Sequence, residues 1–270
     1  MSLVLSSLFP VFSLLLVGSL LKRMKLTNEM FLKLSDRLVY FIFFPVLLFW
    51  KIGGAEVSRF VNWNLCIAAV ISIAIAYVIS ALALKLFNIS DYKAGSFSQS
   101  CYRFNTYIGM AVILNALGED GARQFSILIG LVIPLINILA VSTLTWYAED
   151  KLSLQKRLAL TIKALLTNPL IIACLAGIAY WKWIGGFPVF LDNTFRLASF
   201  VTLPLALLSI GGALTLGGIK NYYKLSLVAC VFKLIILPLL GYLFLKTFGT
   251  TGISFKVGMI YFTLPTSTAL

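Results

Sequence analysis

Apolar runs of about 20 residues, the length that crosses the hydrocarbon of a bilayer, follow one another along this 270-residue chain with only short polar connections between them. Lipid offers no hydrogen bonds, so each run must satisfy its own backbone, which a helix does within one segment. Hydrophobic residues make up 60% of the sequence and charged residues 11%, too apolar a balance for a soluble domain. The runs predict an all-α polytopic membrane protein with spans near 3–21, 34–52, 63–87, 94–117, 122–147, 159–181, 191–214, 222–247 and 253–270.

The net charge of +13 does not point to nucleic acid, because the basic residues sit mostly between apolar spans rather than on one basic face. Of the 22 Lys and Arg residues, 13 fall in or beside the odd-numbered connections and 7 in or beside the even-numbered ones; Arg103 and Lys233 lie inside spans. The excess places the odd connections in the cytoplasm and the N-terminus outside. The first span has its basic cluster, Lys22, Arg23 and Lys25, behind it, so it reads as a membrane helix and not a cleaved signal.

Histidine is absent, which excludes His-based catalysis and imidazole metal sites. Cys66, Cys101, Cys174 and Cys230 fall within apolar spans without metal-ligand spacing and read as buried thiols. No catalytic constellation, metal site or cofactor is expected.

An internal repeat organises the chain. Arg37-Leu38-x-x-Phe41-x-x-x-Pro45 recurs 159 residues later as Arg196-Leu197-x-x-Phe200-x-x-x-Pro204, and the same offset carries Pro10 onto Pro169 and Gly18 onto Gly177. Ile52-Gly53-Gly54-Ala55 reappears as Ile210-Gly211-Gly212-Ala213, shifted by one residue. Five spans per copy is an odd number, so the second copy enters the membrane from the other side and the repeats are inverted. Extending the register predicts a last helix and a half that this chain lacks, so it reads as truncated.

Inverted-repeat carriers bind substrate where corresponding helices of the two halves are broken. The fourth span is interrupted near 103–107, at Arg103, Asn105 and Thr106. Its counterpart, the ninth, is interrupted near 263–268, at Pro265, Thr266 and Ser267. Both interruptions lie about a dozen residues into their spans. Half-helix N-termini favour anions, Arg103 and Lys233 add positive charge, and all nine acidic residues lie in connections or at span ends. The implied ligand is a small organic anion, most simply a carboxylate, bound by Arg103, Asn105, Thr106, Pro265, Thr266, Ser267 and Lys233. Competing readings are helix-to-helix hydrogen bonding for Asn105 and Thr106, and snorkelling toward an interface for Arg103 and Lys233.

FFPVLLF around Pro45, RFNTYIG from Arg103 to Gly109, NPLI from Asn168 to Ile171, LPLALLSIGGAL from Leu203 to Leu214 and the final LPTSTAL resemble the auxin efflux carrier family, which includes plant auxin exporters and bacterial malate and malonate permeases. The resemblance covers essentially the whole chain. It implies a five-plus-five fold related to bile-acid symporters, with residues 1–60 and 159–219 as scaffold helices, 61–147 and 220–270 as transport-domain helices, and 148–158 as a cytoplasmic linker. It also implies elevator-type alternating access, a homodimer through the scaffold and an H+ or Na+ coupling ion, with Asn105 and Thr106 at the first crossover and Pro265, Thr266 and Ser267 at the second. Thr106, where plant exporters carry proline, and the short linker fit the bacterial branch.

The expected function is therefore a secondary carrier of small organic anions, multi-pass in the inner (plasma) membrane, with no nucleic acid partner. The rival readings are a sodium-coupled symporter of the bile-acid type and a membrane protein that does not transport.

Overall fold

The computed structural model describes residues 2–54, 61–147, 153–214 and 219–266. Among these every regular element is helical: α1 (Ser2–Arg23), α2 (Glu29–Leu38), α3 (Phe44–Gly53), α4 (Trp63–Leu86), α5 (Asp91–Tyr102), α6 (Thr106–Trp146), α7 (Leu154–Leu166), α8 (Pro169–Trp183), α9 (Val189–Ala213), α10 (Ile219–Val231), α11 (Leu237–Thr247) and α12 (Gly252–Thr263). Among the described residues four helical stretches, Trp63–Leu86, Lys93–Trp146, Val189–Ala213 and Tyr223–Thr247, are long and apolar enough to cross a membrane; α7 and α8 are so only when taken together across the break at Thr167 and Asn168. The spans expected at 3–21 and 34–52 are helical as α1 and as α2 running into α3; of the one expected at 253–270, α12 covers the part up to Thr263, residues 264–266 are not helical, and 267–270 lie outside the described residues. The two expected at 94–117 and 122–147 share the stretch to Trp146, interrupted at 103–105 and at Gly118, whose φ of 66° is non-helical.

Two spans contain a π turn, Val39–Phe43 between α2 and α3 and Phe232–Ile236 between α10 and α11. Each ends two residues before a proline, Pro45 or Pro238. Proline lacks an N–H and its ring collides with the carbonyl four residues back, here that of Phe41 or Leu234. Both carbonyls lie mid-turn, where the wider π spacing relieves the collision. Local caps begin other helices: Asn28 Oδ1 accepts from the Phe31 amide at 2.8 Å and Asn62 Oδ1 from the Leu65 amide at 2.9 Å.

The chain packs as two compact units. The first comprises residues 1–61, 106–130 and 169–216. Within it α1 crosses α9 at Gly18 and Gly211, where an added Cβ would lie 2.2 Å from the Leu208 carbonyl oxygen and 2.0 Å from that of Leu15. The partner crossing is α8 on α3: a Cβ on Gly177 would meet Ile52 Cβ at 3.0 Å, and one on Gly53 would lie 3.5 Å from the Gly177 carbonyl. Gly18 and Gly177 are repeat equivalents, as are Gly53 and Gly211, so the same contact is made twice with the halves exchanged. Between the two crossings Thr202 Oγ1 donates to the Phe43 carbonyl at 3.2 Å, joining residues 159 apart, the repeat offset itself. This reciprocal packing is the two-fold signature of a duplicated fold.

The second unit comprises residues 62–105, 131–168 and 217–270. Gly241 lets α11 approach Phe262 of α12, and Gly258 admits Leu65 and Leu245 against α12. Asn62 Nδ2 donates to Ser254 Oγ at 3.1 Å, tying the start of α4 to α12. The hydroxyls of Ser80 on α4 and Ser98 on α5 lie 3.2 Å apart, and Tyr77 meets Tyr102 edge-on at 5.8 Å. Polar groups facing each other inside an apolar bundle satisfy what lipid cannot. Cys66, Cys101 and Cys174 are buried as expected; Cys230 is exposed, on the side of α10 that also presents Leu227 and Val231.

Candidate functional site

Both expected interruptions are breaks in the helices. α5 has 12 residues and ends at Tyr102; the Arg103 amide makes the last helical bond, to the Gln99 carbonyl at 2.8 Å, and Arg103 then turns extended, with φ −66° and ψ 151°. Asn105 stands immediately before α6, a position asparagine favours, and Thr106 is the first residue of that helix. α12 also has 12 residues and ends at Thr263; Leu264 is extended, with φ −60° and ψ 144°. The cause is local, because the ring of Pro265 disfavours helical geometry at the residue before it.

The two breaks meet within the second unit. The Asn105 amide donates to the Pro265 carbonyl at 2.9 Å, and the Phe104 ring packs edge-on against Tyr261 with centroids 4.7 Å apart. Asn105 is 3% exposed, whereas Pro265 and Thr266 are exposed. Arg103 is half-buried, with Nη1 donating to the buried Gln99 Oε1 at 2.5 Å, so its guanidinium is held along α5 at the edge of the break. Ser267 lies outside the described residues.

Lys233 occupies the π turn after α10 and is 4% exposed, which removes the snorkelling reading. Its Nζ makes no hydrogen bond among the described residues, and its electrostatic neighbour is the Cys101 thiol. The adjacent Phe232 meets Phe97 of α5 at 6.0 Å. Lys233 therefore packs beside the helix that leads into the Arg103 break. A buried ammonium is costly without a partner.

Sequence reasoning placed Lys51 and Glu119 among connection charges. In the first unit they form an ion pair, with Lys51 6% exposed and its ammonium 4.0 Å from the Trp50 ring centroid; Trp50 Nε1 donates to Asp192 Oδ1 at 2.7 Å. No pairing signal was available between positions 68 residues apart. Among the described residues no group of three or more His, Cys, Asp or Glu is placed to hold a metal ion.

No curated protein matched the chain. The membrane transport protein family, that of the auxin efflux carriers, matches residues 3–270, nearly the whole length. With its apolar helices, its duplicated packing and its two broken helices meeting, the chain belongs to the auxin efflux carrier family of membrane transport proteins.

Proposed function

We propose that the chain carries small organic anions, carboxylates such as malate, malonate or auxin-like acids, across an inner (plasma) membrane. The observation that carries this reading is the bond between the broken helices at Asn105 and Pro265, beside an arginine, while all nine acidic residues lie in connections or toward the ends of the expected spans. The carboxylate is received by Arg103 and by the positive N-terminal end of α6, which begins at the break by chain connection. Asn105, Thr106, Pro265, Thr266 and Ser267 orient the ligand or line an ion site, and Lys233 supplies further positive charge.

Movement follows elevator-type alternating access. Residues 1–60 and 159–219 serve as scaffold and 61–147 and 220–270 as the moving part, with 148–158 as a cytoplasmic linker. The N-terminus lies outside, H+ or Na+ is the coupling ion, and two copies associate through the scaffold. The sodium-coupled alternative differs in one observable, the dependence of anion binding on sodium.

Thermal unfolding of the purified protein against a panel of mono- and dicarboxylates, with and without sodium, tests the proposal, because a ligand of the folded state raises apparent stability by mass action. A carboxylate-specific rise that disappears in Arg103→Ala is expected. If no anion shifts the transition, or if the shift persists in Arg103→Ala, the assignment fails.

A further inference from the structure

The first unit contains a cavity of about 350 Å³ that the carrier reading does not use. It lies among α1, α3, α9 and the first turns of α6, and its lining changes character along its length in the same sense on three helices. On α9 the order is Arg196, then Ser199 and Phe200, then Leu203 and Leu207. On α3, Trp50 and Lys51 are followed one turn away by Leu47; on α6, Glu119 and Asn115 are followed by Ala111. At 1.5 Å per residue, position 196 lies about 4.5 Å along the α9 axis from position 199, and position 199 about 12 Å from position 207 at the apolar end.

Two observations point to an occupant. Ser199 is 7% exposed, and its hydroxyl has no hydrogen-bond partner among the described residues although it lines the cavity. A buried hydroxyl left unbonded is destabilising, and a ligand acceptor at that depth removes the cost. Arg196, at the polar end, is exposed, and its hydrogen bond is to its own helix neighbour Asn193, at 3.0 Å. The Lys51 charge, by contrast, is already engaged by Glu119 and Trp50, so Arg196 is the cation left to meet an anion.

The order of charge, hydroxyl and apolar wall matches the order of phosphate, glycerol ester and acyl chain in a bilayer lipid. Phe200 lines the cavity yet is 66% exposed, and Leu197 beside Arg196 is equally exposed. An opening edged by exposed apolar side chains on a membrane helix faces hydrocarbon, which admits a lipid chain sideways. We propose that this cavity holds one acyl chain of a membrane phospholipid, with the phosphate on Arg196 and the ester region at Ser199. Arginine suits that role because its planar fork meets phosphate oxygens in pairs. The lipid fills the space among α1, α3, α6 and α9 within the first unit.

Native mass spectrometry of the purified full chain, titrated with phosphatidylglycerol or phosphatidylethanolamine, tests this. Wild type is expected to retain one phospholipid. Arg196→Gln, which alters only an exposed side chain, is expected to lower retention about tenfold, and Leu203→Trp, which fills the apolar end, is expected to abolish it. The lipid-free unfolding temperature of each variant shows that it is folded. Equal retention by wild type and folded Arg196→Gln would overturn the proposal. So would full protection by a short soluble acid such as octanoate, lost in Leu203→Trp, which would identify a water-borne amphiphile as the occupant. A lipid-insensitive protein whose dimer dissociates in Arg196→Gln would assign the face to a second copy instead.

Discussion

The backbone amide of Asn105 donates to the carbonyl of Pro265 across 2.9 Å, so the two helix breaks are joined by a bond that belongs to neither side chain. Asn105→Ala is therefore expected to preserve this link, and with it the folded state, while removing the carboxamide. Loss of one hydrogen bond to a charged ligand corresponds to about 1.5–3 kcal/mol, roughly tenfold to a hundredfold in affinity. Calorimetric titration with the best-stabilising carboxylate would show it; unchanged affinity would return Asn105 to a purely structural role.

Pro265→Ala probes the break itself. Without the proline ring, Leu264 is free to become helical, and α12 is expected to extend through residues 264–266 and carry the Pro265 carbonyl away from Asn105. Helix content should hold while vesicle uptake falls at least tenfold. Uptake at the wild-type rate would show that the extended geometry at Leu264 is not required.

Arg103 and Gln99 form a side-chain pair one turn apart on α5. Arg103→Ala is expected to abolish transport, and Arg103→Lys to restore only a small part of it, because an ammonium lacks the fork that meets a carboxylate at two points. Gln99→Ala should retain binding but weaken it, since the guanidinium loses a group that positions it. The three uptake rates, measured side by side in vesicles, check the ranking.

The crossing of α1 and α9 tolerates no side chain at Gly18 or Gly211, where a Cβ would fall 2.2 Å or less from a carbonyl oxygen. Gly211→Ala must push the helices apart, and overpacking of this kind costs about 1–3 kcal/mol. A lowered unfolding temperature is expected for Gly18→Ala and Gly211→Ala. Alanine at Gly186, which has no atom within 4 Å of the added Cβ, should leave it unchanged.

Lys51 is almost fully enclosed while its partner Glu119 is exposed. Glu119→Gln should destabilise the first unit by leaving an enclosed ammonium without its counter-charge, an effect of about 1–3 kcal/mol at a partly solvated site. Lys51→Met combined with Glu119→Gln should recover most of that loss. Denaturation midpoints of the single and double variants form the cycle that decides it.

The helices were legible because uninterrupted apolar runs leave the backbone few alternatives, and the duplication because Pro, Gly and Arg are scarce enough in such runs to mark a register. The break at Leu264 was written locally in Pro265, and that at Arg103 in the cluster of polar residues around it. What could not be read was pairing over distance. Nothing near Asn105 announces Pro265, and Lys51 looks like any charge at a helix end until Glu119 is placed beside it. Cys230 shows the converse: an apolar neighbourhood in sequence does not say which side of the helix faces the protein.

The exchanged crossings also set a timetable. Phe43 waits for Thr202, 159 residues downstream, and Leu32 for Ser209, 177 residues downstream. At about 5–20 residues per second, the first helices spend on the order of ten seconds or more in the membrane before their partners exist. During synthesis the early half must be kept from pairing with anything else, and a chain cut in the 148–152 connection should regain its fold only when both pieces are made together.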